Sequence, residues 1–324
     1  WYFWQQDVSD LADDRFSTNE DYANYLNTFS SPDLLFDNLL FSEDRFSWIV
    51  EDYIALLNSF QGVSKANGVE FGLFRIGNSD DIFGIVQYIL PNSDASSKNI
   101  KRGDVFTSVD GVTLNLNNYL DLLFGDNDSY TLSLSEISGG SIVSTGIDVA
   151  LTKLEYTENP VFIAKTLDVN GIKIGYLMYN RFTSNFDEQL NVAFGEFKAN
   201  GISDLVLDLR YNPGGRVSSA IRLSSMITGQ FTGDLFLRAQ FNDKLQAQFS
   251  DEALNSYFLD KLSNGSSINS LNLNKVYVLA QNSSASASEL LINSLDPYID
   301  VIHIGENTRG KNEFSTTLLD VPDC

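Results

Sequence analysis

The sequence is poor in the residues that usually announce a mechanism. Among its 324 residues it holds one cysteine, Cys324, and one histidine, His303. A lone cysteine at the last position cannot close an internal disulfide, and it says nothing about redox compartment. A single histidine excludes any mechanism that needs two. Cations are scarce as well: 21 Lys and Arg stand against 43 Asp and Glu, a formal net charge of -22. Phosphate binding needs clustered Lys and Arg, so this balance argues against nucleic acid or an anionic membrane as a partner. No run reaches the roughly 18 to 20 apolar residues that span a bilayer. Neither glycine nor proline is enriched, and 43% of the residues are hydrophobic. The chain can therefore bury a sizeable core, and its length suggests two or three domains. It opens on Trp1 rather than methionine, which fits removal of a leader during export.

No period of 20 to 50 residues points to a solenoid or propeller. Over the first sixty or so residues, apolar positions fall at helical spacing. In "NEDYANYLNTF", Tyr22, Tyr25, Leu26 and Phe29 lie at i, i+3, i+4 and i+7. "FSWIVEDYIALLNSF" reads as a further helix ending before Gly62. From about Gly68 the pattern shifts to short β-branched and aromatic runs, "GVEFGLFRI", "DIFGIVQYIL", "GDVFTSVDG", "YTLSLSEI" and "IDVALTKLEY". Two short helices are expected among them, one within "PNSDASSKNIKRGD" and one over 117–125. The rest alternates strands at 172–179, 204–210 and 275–281 with helices at 185–201, 216–229 and 286–298. Repeated strand-then-helix implies a mainly parallel α/β layer. The strand "DLVLDLR" is expected to be buried on both faces.

Chemistry in such a layer gathers where strands run out into helix N-termini. Two unusual loops sit there. Asn212-Pro213-Gly214-Gly215 lets the backbone approach another group closely, although a plain strand-to-helix turn explains it equally well. "QNSSASASELL", 281–291, is either a linker or a nucleophile mounted at the start of a helix. A serine nucleophile needs a base. His303 lies in the strand-like "DVIHIGE" and reads as structural. Lys311, after Gly310, is the remaining candidate, and an exposed loop lysine is its plain alternative. A lysine base must be neutral, which burial can bring about at about 1.4 kcal/mol per pKa unit.

"LVLDLRYNPGG", "SSASASELL" and "GENTRGK" occur in this order, with 25 residues from Ser286 to Lys311. Together they resemble the carboxy-terminal processing (tail-specific) proteases, serine endopeptidases with a Ser–Lys dyad. The resemblance implies an α/β multidomain chain. Its parts would be a small N-terminal helical domain over 1–66, a β-rich PDZ-like domain over 67–155, and a crotonase-like (ββα) protease core over 156–324. It maps the nucleophile onto Ser286 and the base onto Lys311. The oxyanion hole maps onto the N–H of Ala287 and of Gly214 or Gly215. The middle segment is similar to a PDZ domain at Gly103, Asp104, Asp110 and Gly111. Phe71, Gly72, Leu73 and Phe74 then fall at the loop that binds a peptide carboxylate, although Phe71 and Phe74 also suit a core.

Two departures stand out. Many family members carry a glutamine four residues after the lysine, and here that position is Ser315. The chain also ends 13 residues after Lys311, where family cores continue, so a further C-terminal part is expected. The implied activity is exported peptidase action on polypeptides held by their C-termini, with no metal or organic cofactor. A bacterial envelope location fits, with a lipid anchor ahead of Trp1 compatible. Oligomeric state is not legible. A catalytically weak tail-binding relative is one rival. A crotonase-like enzyme acting on acyl-thioesters is another, but it explains neither the PDZ-like module nor the Ser–Lys pair.

Overall fold

The computed structural model describes residues 15–42, 44–242 and 246–315, so Trp1 and Cys324 lie outside the described residues. The chain divides into two compact units, Trp1–Gln61 with Asn159–Cys324, and Gly62–Glu158. The N-terminal helices α1 (Asn19–Leu26), α2 (Pro32–Leu39) and α3 (Tyr53–Phe60) lie in the first of these units. None of the three buries a residue. Helices of 8 residues without a core are marginal alone. Local caps start two of them. Thr18 Oγ1 accepts from the Asp21 N–H and Asp52 Oδ1 from the Ala55 N–H. The Asp52 cap also explains why 46–50, read as helical from sequence, lies outside α3.

The unit Gly62–Glu158 is all but helix-free. β1 (Val63–Ala66) pairs antiparallel with β8 (Leu154–Thr157). β2 (Val69–Arg75), β3 (Ile82–Ile89), β4 (Val105–Val109), β6 (Ser129–Ser138) and β7 (Ser141–Thr152) form a sheet in the order β2-β3-β4-β6-β7, and β5 (Val112–Thr113) pairs with β4. Strict alternation in β3 buries Ile82, Gly84, Val86 and Tyr88 on one face. Ile82 and Val86 join Phe106, Leu114, Leu132 and Leu151 in a single core. Asp110 and Gly111 turn β4 into β5 with φ of 50° and 77°, the two-residue hairpin that an Asp-Gly pair favours.

In the larger unit, β9 (Val161–Val169), β10 (Ile172–Tyr179), β11 (Asp204–Asp208), β14 (Lys275–Ala280) and β15 (Asp300–Gly305) form a sheet in the order β15-β14-β11-β10-β9. Only β9 is antiparallel to its neighbour. Helices α4 (Asp187–Asn200), α5 (Val217–Ile227) and α7 (Ala287–Leu295) follow strands, as the alternation requires. A short α6 (Asp251–Leu254) and the pair β12 (Leu235–Arg238) with β13 (Asn255–Tyr257) lie between α5 and β14. α4 stops at Gly201, which takes the left-handed conformation at φ 66°. Leu205, Leu207 and Leu209 face a core with Phe194, Leu223 and Leu291. β11 is not apolar on both faces: Val206 is half-buried and Asp208, on the same side, makes polar contacts. Among the described residues, no helix is long and apolar enough to cross a membrane.

Candidate active site

The parallel strands β10, β11 and β14 deliver their C-terminal ends to one edge of the sheet, and both unusual loops begin there. The Ser-Ala run is not a linker. Ser283 Oγ donates to Arg210 O, Ser284 Oγ to Leu209 O and Ser288 Oγ to Asn212 O, at 2.5, 2.8 and 2.9 Å. Three of the four serines thereby sew the turn before α7 to the end of β11. The fourth, Ser286, donates to no carbonyl. It sits at φ 56°, ψ -111°, a conformation that non-glycine residues rarely adopt. Such a residue costs about 1–3 kcal/mol and persists where its surroundings hold it. Here the Ser286 N–H donates to Glu289 Oε2 at 2.7 Å, and the Ala285 N–H to Asn212 O.

The glycine loop lies against this turn. Gly214 has φ 107°, and a Cβ there would stand 2.8 Å from Ala285 O, 2.8 Å from Ser286 Cβ and 3.0 Å from Ala287 N. Only glycine permits that approach. Gly215 is tied beside Phe182, whose N–H donates to Gly214 O and whose carbonyl accepts the Arg216 N–H. Asn212, fully buried, holds the loop from within: its Nδ2 donates to Tyr179 O and its Oδ1 accepts the Gly214 N–H. The Gly214 N–H is thus committed. The N–H groups of Gly215 and of Ala287, the first residue of α7, have no acceptor within the described residues. Two uncommitted donors beside a serine at a helix start can hold a negatively charged oxygen.

Below the loop, Asp208 braces the strand end. Arg210 grips its carboxylate with Nε and Nη2 at 2.9 and 2.6 Å, and Tyr176 Oη adds a third bond at 2.7 Å. Burial works to raise the Asp208 carboxyl, but these hydrogen bonds outweigh it and hold the group below the usual carboxylate range. Burial and the Asp208 bond together push Tyr176 up to about 12.

Lys311 reaches this region by its backbone. Glu289, a buried carboxylate on the first turn of α7, accepts the Gly310 N–H at 2.6 Å and the Lys311 N–H at 2.9 Å, besides that of Ser286. The side chain goes elsewhere. Lys311 Nζ donates to Ser315 Oγ at 3.1 Å and lies 4.9 Å from the centroid of the Phe46 ring. No hydrogen bond joins it to Ser286 Oγ among the described residues. His303 is exposed on β15, paired with Val278 and outside these contacts. Glu289 and Asn212 were not singled out from the sequence. Ser286-x-x-Glu289 is a capping-box spacing, the one signal that marks Glu289; Asn212 carries none.

In the other unit, Phe71, Gly72, Leu73 and Phe74 lie within β2 and not in a loop; the turn entering the strand is Asn67-Gly68, with Gly68 at φ 93°. β2 ends the sheet and pairs on one side only, with β3. Phe71 packs edge-on against Phe106 and stands 5.8 Å from Phe124, in the helical segment Leu120–Phe124. β2 thus has one unpaired edge and stands, through Phe71, near exposed Phe124.

A serine at a strained strand-to-helix turn, with uncommitted N–H groups beside it, is the arrangement on which α/β serine hydrolases are built. Comparison with known proteins points the same way. Residues 173–320 match Peptidase family S41, and the chain is similar to proteins named as C-terminal processing proteases. It is 29% identical over 254 residues to the chloroplastic C-terminal processing peptidase of Tetradesmus obliquus, covering 75% of this chain and 50% of that protein. A carboxyl-terminal-processing protease of Picosynechococcus is 27% identical over 277 residues, with 84% and 60% covered. The chain thus spans half to three-fifths of the length of these relatives. A solved Bacteroides fragilis structure assigned to the S41 proteases shares the fold, with a TM-score of 0.66, 24% identity, and 91% of this chain and 76% of that one covered.

Proposed function

We propose that this chain carries the catalytic site of a serine endopeptidase of the C-terminal processing type, with Ser286 as nucleophile and Lys311 as general base. One observation carries the reading. Of four serines in the turn, only Ser286 donates its hydroxyl to no backbone carbonyl, and Glu289 ties its N–H to the backbone of Lys311. Neutral Lys311 takes the proton of Ser286 Oγ as that oxygen bonds the scissile carbonyl carbon. The oxyanion rests on the N–H groups of Ala287 and Gly215, since that of Gly214 serves Asn212. Collapse breaks the C–N bond, and Lys311 returns the proton to the leaving amine. Water then adds to the acyl-enzyme, gives a proton to Lys311, and releases the acid as Ser286 recovers its own.

We read the β9–β15 sheet with its helices as a crotonase-like core, and the β1–β8 unit as PDZ-like. The open edge of β2 beside Leu120–Phe124 suits an added peptide strand, so the substrates are polypeptides presented by their C-termini. An exported, envelope location is in keeping with the relatives' processing role.

The test is labelling by a fluorophosphonate probe alongside cleavage of a peptide substrate. Wild type is expected to label at Ser286 and to cleave, whereas Ser286→Ala and Lys311→Ala do neither. Wild-type cleavage by both variants would sink the dyad. The Lys311–Ser315 bond favours a second reading, a weakly active tail-binding relative. Tail-peptide binding without labelling at Ser286 would select it.

A further inference from the structure

The contacts of the Lys311 side chain carry an inference that rests on the dyad reading above. Its ammonium is held by a segment from the far end of the sequence. Residues 44–47 form a turn in which Asp44 accepts the N–H groups of Phe46 and Ser47 at 3.0 and 2.9 Å and the Ser47 hydroxyl at 2.7 Å. From this turn Arg45 Nη2 reaches Glu313 Oε1 at 3.3 Å, two residues beyond Lys311, and the Phe46 ring lies under Lys311 Nζ. Further along, Phe60, the last residue of α3, has its ring centroid 5.7 Å from the guanidinium of Arg216, directly after Gly215.

An aromatic face attracts an ammonium through its quadrupole and has no comparable attraction for a neutral amine. A hydroxyl oxygen that accepts from Nζ acts in the same sense. A general base must be the neutral amine and must reach Ser286 Oγ. Both contacts of Nζ therefore favour the form and the place in which Lys311 does no chemistry. We infer that Phe46 is a positioning residue that parks Lys311 as an ammonium, and that the Arg45–Phe46 turn must release the 311–315 loop before the dyad with Ser286 can form. The segment is a built-in brake on the peptidase site. A partner or substrate that draws residues 44–47 away raises activity by the differential affinity it has for the released state.

Among the described residues, the charged groups tied to the Lys311 loop are Arg45 on the turn, which pairs with Glu313, and Glu289 on α7, which accepts the Lys311 N–H. Arg45 also lies against the Phe46 ring, 4.8 Å from its centroid, so its pairing with Glu313 limits the repulsion between two cations at one ring.

The experiment compares pH profiles of peptide cleavage and of fluorophosphonate labelling for wild type, Phe46→Leu and Phe46→Trp in the full chain. Phe46→Leu keeps apolar bulk but removes the π face. Its kcat is expected to rise about three- to tenfold on the acidic limb, with KM unchanged and the gain fading on the alkaline plateau. Phe46→Trp restores the face and with it the wild-type profile or a slower one. If Phe46→Leu does not fold, Arg45→Met, which frees Glu313, is expected to act in the same direction and less strongly. Superimposed profiles in an enzyme that Lys311→Ala inactivates would overturn this inference alone. Full activity in Lys311→Ala would remove the dyad and the inference with it.

Discussion

Ser286 and Lys311 arrive at the site under opposite conditions. Around Ser286 the neighbours Ser284, Asn212, Ser288 and Ala287 are almost fully buried, and three serine hydroxyls, Asn212 and the Gly214 approach fix the turn against the end of β11. Around Lys311 only the backbone is fixed, through Glu289; the side chain rests on exposed Ser315 and on a ring from residues 44–47. The contrast shows where this fold places rigidity. Oxyanion donors act by being held in place before charge develops, so they gain from a packed strand-to-helix turn. A base that must accept a proton and give it back can sit on a long flexible side chain, whose placement other parts of the chain are free to control.

The largest effect expected from breaking this contrast is at Gly214. Gly214→Ala puts a methyl 2.8 Å from Ala285 O and from Ser286 Cβ, at a φ of 107° that alanine resists. Loosening the donors should lower kcat about 10²- to 10³-fold while Lys311 keeps its surroundings. Steady-state kinetics with circular dichroism as a folding control would show it; undiminished kcat would mean the turn does not hold the oxyanion.

Next comes the brace beneath the turn. Asp208→Asn leaves the Arg210 guanidinium without its carboxylate and should cost about 3 kcal/mol of stability. The pH dependence has a definite sign. The carboxyl is held below its unfolded value, so its stabilisation is complete above about pH 4 and is lost as pH falls through the lower folded value. Urea melts between pH 3 and 7 should show that part of the acid dependence missing from Asp208→Asn. Parallel melting curves at every pH would show that the bidentate grip contributes nothing.

Glu289 spans both halves and should fall between them in effect. Glu289→Gln keeps the shape but leaves one acceptor oxygen for three N–H donors, those of Ser286, Gly310 and Lys311. Charge-assisted bonds of this kind are worth about 1.5–3 kcal/mol, so kcat should drop about ten- to a hundredfold. Because the Ser286 turn loosens too, probe labelling should slow in proportion; labelling at the wild-type rate would confine Glu289 to the lysine loop.

What could be read in advance follows the same division. The parallel layer was legible because strand and helix periods alternate along the sequence, and Asp110-Gly111 announced its hairpin chemically. Ser286 was distinguished from Ser283, Ser284 and Ser288 only by resemblance. Their separate roles are set by carbonyls of Leu209, Arg210 and Asn212, which no local pattern encodes. Which glycine keeps a donor was equally hidden, since that depends on Asn212 Oδ1 taking the Gly214 N–H. The lysine side chain was least legible, because its placement is decided by Phe46 and Arg45, remote in sequence. The expected N-terminal domain rests on helical periodicity alone, which says that α1–α3 are amphipathic, not which unit they join.

The smallest effect is expected at Ser315, where the lysine's other contact lies. Ser315→Ala removes one exposed hydrogen bond to Nζ, worth about 0.5 kcal/mol or a little more against water. If Ser315 helps to hold Lys311 away from Ser286, kcat should rise about twofold, and the double variant with Phe46→Leu should exceed either single one. If Ser315 instead orients the lysine for catalysis, as a glutamine at this position would, kcat falls and Ser315→Gln restores or raises it. The direction of so small a change thus separates two roles that the same 3.1 Å bond allows. A fall in kcat would leave Phe46 as the sole brake on the lysine half of the site.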